Sequence, residues 1–344
     1  MDALKVGLIG LGRGGQQLCD ALLASSWCEL VAVATPNQQR LERFKDEHPD
    51  IAVYDDFRSL IVERHLDALF IAVPPFKRMP YLNLSVERKI PVWMLTPAAR
   101  QFDEAIEIMT KFEQADCPIV VSRSWGLEPA LQTANINPEK LGSFFFARGN
   151  VMTCWAEDLD WRGDSHRAGG GVLLDRAYTL IDTAVQLMGL PNTVFTAAAG
   201  VSRPGGHFPY DTEDTGAIIC QFTGGAIAVF SACWTSGPER WELEVYGTKA
   251  SVCIDTERIV LRDRRGQKQI DMQARPFNPF VSQIEDFLSL LVSERKVNRW
   301  TLRQHLATMA VIQASYLSAR THQPESPNTI FEMHDIHEPS TTVS

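Results

Sequence analysis

The sequence predicts an α/β chain in two parts, a doubly wound parallel sheet and then an α+β region with an open, mainly antiparallel sheet. Three observations carry that expectation. Short apolar strands alternate with helical patterns up to about residue 121, and a glycine-rich turn follows the first strand. Beyond residue 190, strand follows strand across polar or glycine turns. Strand–helix alternation makes βαβ units and parallel pairing, whereas strand–turn–strand succession makes hairpins.

Taken in order, Lys5-Val6-Gly7-Leu8-Ile9 reads as a buried strand, and Leu18, Ala21 and Leu22 mark the apolar face of the next helix. Glu29–Ala34 gives a second strand, followed by a helix over Gln39–Glu47. Further strands fit Ala68–Val73, Val92–Leu95 and Pro118–Val121, with helical patterns between them. Near residue 124 the rhythm changes. One strand, Gly142–Val151, precedes a helix over Gly171–Leu187. Strands then fit Asn192–Val201, Thr215–Phe222, Ala226–Trp234, Trp241–Tyr246, Ser251–Asp255 and Arg258–Asp263, separated by turns such as Thr223-Gly224-Gly225. Helices over Phe280–Ser293 and Leu302–Arg320 close the second part. A chain of 344 residues makes two domains of ordinary size, placed at 1–123 and 124–322. The remaining polar stretch, 323–344, is expected to be a loosely held tail.

Composition narrows the partners. Acidic residues number 42 against 33 basic ones, a formal net charge of -9. The densest basic cluster, Arg262, Arg264, Arg265 and Lys268, reads as a hairpin tip, so no nucleic-acid partner is expected. No apolar run approaches the roughly 18 residues of a membrane span, so no membrane partner is expected. Met1-Asp2-Ala3-Leu4-Lys5 leads directly into a strand without the pattern of a secretory leader. The seven cysteines are scattered and never form a C-x-x-C pair, the usage of reduced thiols rather than of a disulfide frame or a metal site. Together these features predict a cytoplasmic protein.

The turn after the first strand is Gly10-Leu11-Gly12-Arg13-Gly14-Gly15, which contains G-x-G-x-x-G at Gly10, Gly12 and Gly15. In that arrangement the first glycine permits the tight turn, the second lets the backbone approach a pyrophosphate, and the third lets helix and strand pack closely. The helix start adds unpaired N–H groups and partial positive charge. Strand, motif and helix in this order predict a Rossmann-type domain for a nicotinamide dinucleotide. The second strand ends at Thr35-Pro36-Asn37, where an acidic residue would select NAD. Thr35 suits either ribose or its 2′-phosphate, and Arg40 or Arg13 can neutralise a phosphate, so NAD and NADP both stay open.

The series of motifs resembles the glucose-fructose oxidoreductase, inositol dehydrogenase and rhizopine catabolism (Gfo/Idh/MocA) family over nearly the whole chain. The resemblance rests on Gly7–Gly12, Ile71-Ala72-Val73-Pro74, Trp161-Arg162 and Ala168–Asp175 with its triple glycine. It also rests on Glu213-Asp214-Thr215, Tyr246-Gly247-Thr248-Lys249 and Ala314–Arg320. It implies NAD(P)-dependent hydride transfer on sugars, cyclitols and related molecules, and homo-oligomers formed through the open sheet. It implies cofactor contacts from Val73, Pro74, Thr96, Pro97, Trp161 and Arg162, beside the glycine turn.

At the positions that imply catalysis, the sequence departs from that family. Where Glu-Lys-Pro is usual, the chain has Leu95-Thr96-Pro97; where D-x-G-x-H is usual, it has Asp175-Arg176-Ala177-Tyr178-Thr179. Pro74 is followed by Pro75-Phe76 in place of the usual Asn, and the usual Asn-Arg pair reads Ser122-Arg123-Ser124-Trp125. Asp175 is retained, while Thr96 and Thr179 replace the lysine and histidine. A threonine hydroxyl relays a proton or donates a hydrogen bond, but it does not titrate near neutral pH as an acid–base catalyst should. Asp175, Thr179 and Asp182, spaced i, i+4 and i+7, are expected to form one polar stripe. Tyr178 is a candidate proton relay or a core aromatic. His166 reads as an exposed loop histidine, as does His207; His207 and Tyr210 lie in a glycine-rich loop that could border a site. Two functional readings lead: an oxidoreductase with an altered site, or a non-catalytic binder of dinucleotide and sugar that senses or regulates. A third, a redox-neutral lyase or glycosidase with NAD as transient oxidant, ranks lower because it too needs a base.

Overall fold

The computed structural model describes residues 3–123, 138–155, 159–200, 210–255, 257–273, 278, 280–293 and 302–336. The chain divides into two compact units. Unit 1 takes Met1–Ala99, Asp103–Arg123 and Asn278–Leu302; unit 2 takes Arg100–Phe102, Ser124–Phe277 and Arg303–Ser344.

Unit 1 is built on six strands: β1 (Leu4–Ile9), β2 (Cys28–Ala34), β3 (Ala52–Tyr54), β4 (Ala68–Ile71), β5 (Val92–Met94) and β6 (Ile119–Val121). They pair in the order β3-β2-β1-β4-β5-β6, every pair parallel. This is the doubly wound order, and its reversal between β1 and β4 opens a crevice at the carboxyl ends of those strands. All of β4 is buried, as a central parallel strand covered on both faces requires. Strand β3 has no sequence signature, because three half-buried residues at a sheet edge carry almost no pattern. Helices α1 (Arg13–Ala24), α2 (Gln38–Glu47), α3 (Phe57–Glu63), α4 (Arg78–Glu87) and α5 (Phe102–Gln114) connect the strands.

The helix over Phe280–Val292, here α7, corrects the expected division. Its position along the chain predicts the second domain, but it belongs to unit 1. Phe280, Ile284, Phe287 and Leu288 form an apolar stripe in the same core as Leu18 and Leu22 of α1. Phe287 meets Phe70 edge-on at 5.9 Å, and Phe280 meets Trp93 at 5.7 Å. Asn278 Nδ2 donates to the Gln17 carbonyl at 2.7 Å, and Gln283 Oε1 accepts from Arg123 N at 2.8 Å. Periodicity shows that a helix has an apolar face, not which core will bury it.

Unit 2 carries eight strands: β7 (Phe144–Cys154), β8 (Thr193–Gly200), β9 (Glu213–Gln221), β10 (Ile227–Cys233), β11 (Thr235–Gly247), β12 (Ala250–Asp255), β13 (Arg258–Asp263) and β14 (Lys268–Gln273). Their order is β14-β13-β12-β11-β7-β10-β9-β8, antiparallel except where β10 lies parallel to β7. The expected open, mainly antiparallel sheet is therefore present, with β14 as an unforeseen edge. Asp263 Oδ1 accepts from Arg265 N and Gln267 N at 2.8 and 2.9 Å, so the basic cluster is a hairpin tip. Leu173–Ala177 forms a π-helical turn that runs into α6 (Tyr178–Met188), and α8 covers Leu302–Thr321. Leu180 of α6 packs over Gly149 of β7, whose missing side chain makes room for it.

The first part of the tail is not loose. Val194 and Glu325 exchange backbone hydrogen bonds of 2.8 and 2.9 Å, and α9 (Pro327–Met333) buries Ile330 and Phe331. Phe331 packs edge-on against Phe102 at 5.3 Å. Backbone pairing to β8 and the buried side chains of Pro327, Ile330 and Phe331 hold it together. Among the described residues, no helix is long and apolar enough to cross a membrane.

Candidate functional site

In unit 1 the candidate site is the mouth of the crevice, and its floor is backbone. Gly10 has φ +101°, which favours glycine, and a Cβ there would stand 2.6 Å from the Ala72 carbonyl oxygen. A Cβ on Gly15 would overlap the Gly10 carbonyl. Gly12 is different. Its φ is -71°, open to any residue, and a Cβ there would meet nothing nearer than Arg40 Nη1 at 3.8 Å. The middle glycine thus borders open space at the N-terminus of α1, where no acidic residue stands in the first turn. A side chain would fill the room that a pyrophosphate needs, so these residues fit a dinucleotide.

The neighbouring strand ends are pinned around that turn. Gly10 N donates to Ala34 O and Ala72 N donates to Ile9 O, both at 2.8 Å. Leu11 is buried beneath the turn, while Arg13 and Gly14 line its outer side, Gly14 close to Leu95. Thr35 is buried at the end of β2, and its hydroxyl accepts from Asn37 N at 3.4 Å. Thr96 N donates to Ser122 Oγ at 2.9 Å, and the Thr96–Pro97 peptide is cis.

One residue of this mouth carried no signal in the sequence. Arg78, at the start of α4, is only 2% exposed. Its Nε donates to Val73 O at 3.1 Å and its Nη1 to Pro97 O at 2.5 Å. The guanidinium ties the loop after β4 to the loop after β5, and so positions Val73, Pro74, Thr96 and Pro97. No periodicity or motif distinguishes such an arginine from a surface one.

Unit 2 offers a wall of side chains. Asp175 sits in the π-helical turn, and its Oδ1 pairs with Arg162 Nε at 2.9 Å. The Arg162 guanidinium lies 4.4 Å from the Trp161 ring and 5.4 Å from the Trp155 ring. Arg176 approaches the Trp155 ring at 4.5 Å and pairs with Glu239 at 2.8 Å. Trp161 and Arg162, for which the resemblance implies cofactor contact, stand beside Asp175 in unit 2.

The polar stripe expected along α6 is divided by burial. Asp175 remains partly exposed, and Thr179 is 8% exposed. Asp182 turns into the core, where its carboxylate accepts from Thr308 Oγ1 at 2.8 Å and Gln186 Nε2 at 2.5 Å. Tyr178 is buried as well, its hydroxyl 3.0 Å from His305 Nδ1 and its ring stacked on that imidazole. Between its two readings, this packing is that of a core aromatic. His166 is exposed, with its carbonyl accepting from Arg100 Nη1 at 3.1 Å. Tyr210 is buried and donates to Asp214 Oδ2 at 3.1 Å. His207, Ser124 and Trp125 lie outside the described residues.

The triple glycine before Asp175 has a steric explanation. Gly169 has φ +81°, and a Cβ there would sit 2.5 Å from Arg100 O. Side chains on Gly170 and Gly171 would strike the Tyr316 hydroxyl and the Glu213 carbonyl. The Glu213 carboxylate accepts from Gly171 N at 2.7 Å, Leu173 N at 3.0 Å and Tyr316 Oη at 2.8 Å. Desolvation pushes the Glu213 pKa up, opposed by these donors, and burial beside Glu213 raises Tyr316 well above the usual tyrosine range. Glu213 and Tyr316 thus hold the turn that presents Asp175.

Comparison with known proteins agrees with both halves. The model of an oxidoreductase family with an NAD-binding Rossmann fold matches residues 4–123, and that of the GFO/IDH/MocA C-terminal domain matches 134–253. The rhizopine catabolism protein MocA of Rhizobium meliloti is 24% identical over 300 residues, covering 84% of this chain and 86% of that protein. Levoglucosan dehydrogenase of Pseudarthrobacter phenanthrenivorans is 24% identical over 295 residues, 75% of each chain. An Agrobacterium radiobacter oxidoreductase, solved with NAD+, L-tartaric acid and magnesium, superposes with a TM-score of 0.81 at 17% identity, covering 96% of this chain and all (100%) of that one. Glycine cradle, doubly wound sheet and open antiparallel sheet occur here in one chain, and that chain belongs to the Gfo/Idh/MocA family of NAD(P)-binding oxidoreductases.

Proposed function

We propose that this protein holds NAD(P) on the glycine cradle and a sugar-like or cyclic polyol ligand at Asp175, and that it transfers hydride between them at a small fraction of the rate usual for its family. The observation that carries this reading is the contrast at the site. Gly10, Gly12 and Gly15 keep the geometry of a pyrophosphate cradle, while threonines stand at both positions where the family has titrating groups. Bound nicotinamide supplies a hydride donor or acceptor at its C4.

The chain's own residues then do the following. Backbone N–H groups at the start of α1 bind the phosphates. Arg78 keeps the loops after β4 and β5 in place. Asp175, braced by Arg162, accepts hydrogen bonds from ligand hydroxyls. Thr96 in unit 1 and Thr179 in unit 2 each offer a hydroxyl that hydrogen-bonds but does not take a substrate proton, which leaves through water or Asp175. Loss of one acid–base group costs roughly 100- to 10,000-fold, and loss of the lysine charge removes stabilisation of a developing alkoxide as well.

A non-catalytic binder, sensing a metabolite or regulating a partner, is the second reading. It is favoured by the commitment of Asp175 to Arg162, which leaves the retained carboxylate holding a salt bridge.

Phe195, Ile219 and Ile227 are exposed on one face of β8, β9 and β10, with Phe195 directly opposite Ile219, and this supports homo-oligomers through the open sheet. Seven cysteines with no disulfide among them support a reducing, cytoplasmic setting.

Fluorescence titration with NADH and NADPH, followed by turnover on a panel of sugars and inositols, tests the reading. Dinucleotide binding with slow turnover on a panel member supports it. Binding without any turnover moves the protein to the second reading, and no binding refutes both.

A further inference from the structure

We infer that the β2–α2 turn selects the dinucleotide bearing a phosphate on its adenosine ribose, with Arg40 as the residue that pairs that phosphate. This rests on the dinucleotide reading above. A ribose diol presents two hydroxyl donors, and a carboxylate at the end of the second strand satisfies them; a 2′-phosphate presents acceptors and needs donors.

The turn is a donor set. Strand β2 ends at Ala34, and no carboxylate follows in Thr35-Pro36-Asn37. The two side-chain acceptors present are already used inward. Thr35 Oγ1 accepts from Asn37 N at 3.4 Å, and Asn37 Oδ1 accepts from Arg40 N at 2.9 Å, capping α2. What the turn presents to solvent is the Asn37 amide N–H2 and the Arg40 guanidinium, both on exposed residues. The first turn of α2 contains no acidic residue to repel an anion.

Arg40 also points the right way. Its Nη1 lies 3.8 Å from where a Cβ on Gly12 would be, at the edge of the room left for the pyrophosphate. Arg43, three residues on, is spent on Glu47 at 2.8 Å, whereas no carboxylate among the described residues pairs with the Arg40 side chain. A cation that reaches toward the cradle without a protein anion matches the planar, two-pronged recognition of phosphate for which arginine is suited.

Binding of NADPH and NADH to the purified protein, read by fluorescence and calorimetry rather than by turnover, tests this. The wild-type protein should bind NADPH at least about 10-fold more tightly than NADH, as one charge-assisted pair implies. Arg40→Ala should erase the difference, and Arg40→Asp should reverse it, with melting temperatures unchanged because the side chain is exposed. Equal or tighter binding of NADH by the wild type overturns the inference and leaves the dinucleotide reading standing, as does a preference that survives Arg40→Ala. If neither nucleotide binds, the dinucleotide reading falls and this inference with it.

Discussion

The glycine turn of unit 1 and the Asp175 wall of unit 2 are built from different materials. The first is backbone: its chemistry comes from N–H groups at a helix start, and its residues are chosen for what they lack. The second is side chain: a carboxylate, an arginine, two tryptophans and a threonine. Backbone chemistry survives as long as the fold does, because a Cβ on Gly10 or Gly15 collides with neighbouring carbonyls. Side-chain chemistry can be exchanged without touching the fold, since Thr96 and Thr179 fill their places as smaller neutral groups. Binding and catalysis are therefore free to part company in this architecture.

The largest expected effect is on the cradle. Gly15→Ala places a Cβ on the Gly10 carbonyl and should cost about 3 kcal/mol, with dinucleotide binding lost, as read by thermal melting and titration. If the variant melts and binds like wild type, the turn is not sterically fixed. Restoring side-chain chemistry should be nearly as large. Thr96→Lys with Thr179→His should raise turnover on a polyol panel on the order of 100-fold in an NAD(P)H absorbance assay. An unchanged rate on every member would show that those two positions are not what limits it.

The two carboxylates around the triple glycine sharpen the contrast further. Glu213→Ala strips the acceptor from Gly171 N and Leu173 N and should cost about 2 kcal/mol. Asp175→Asn, at a partly exposed pair, should cost under about 1 kcal/mol while weakening polyol binding in calorimetry. Reversal of that order would mean the structural and ligand-facing roles have been exchanged.

Glu213 also gives the smallest effect, in pH. Its folded pKa is raised, so the folded state holds the proton more tightly than the unfolded chain does. Its contribution to stability is then full at acid pH and declines as pH rises from about 4.3 through the raised value. The melting temperature of wild type relative to Glu213→Gln should fall across that window. A flat or rising difference would show that the donors outweigh desolvation.

The sequence made the cradle legible because G-x-G-x-x-G has a steric cause that leaves a trace in residue identity. The strands of both sheets were legible for the same kind of reason, since burial imposes a pattern. The destination of Phe280–Val292 was not, because an apolar stripe does not name its partner core. Arg78 was invisible because only tertiary burial makes it different from other arginines. Spacing puts Asp182 on a polar stripe and leaves Tyr178 between proton relay and core aromatic, but α8 brings Thr308 and His305 to meet them, and no local pattern reports a partner more than 120 residues away.

Gly12 separates binding from folding better than any other position. Its φ of -71° accepts alanine, and a Cβ there touches no protein atom within 3.4 Å. Gly12→Ala should melt with the wild type yet give no heat when titrated with NADH or NADPH, under conditions where the wild type gives a clear isotherm. Equal binding by the variant, or silence from the wild type, would mean that this turn is not where the dinucleotide sits.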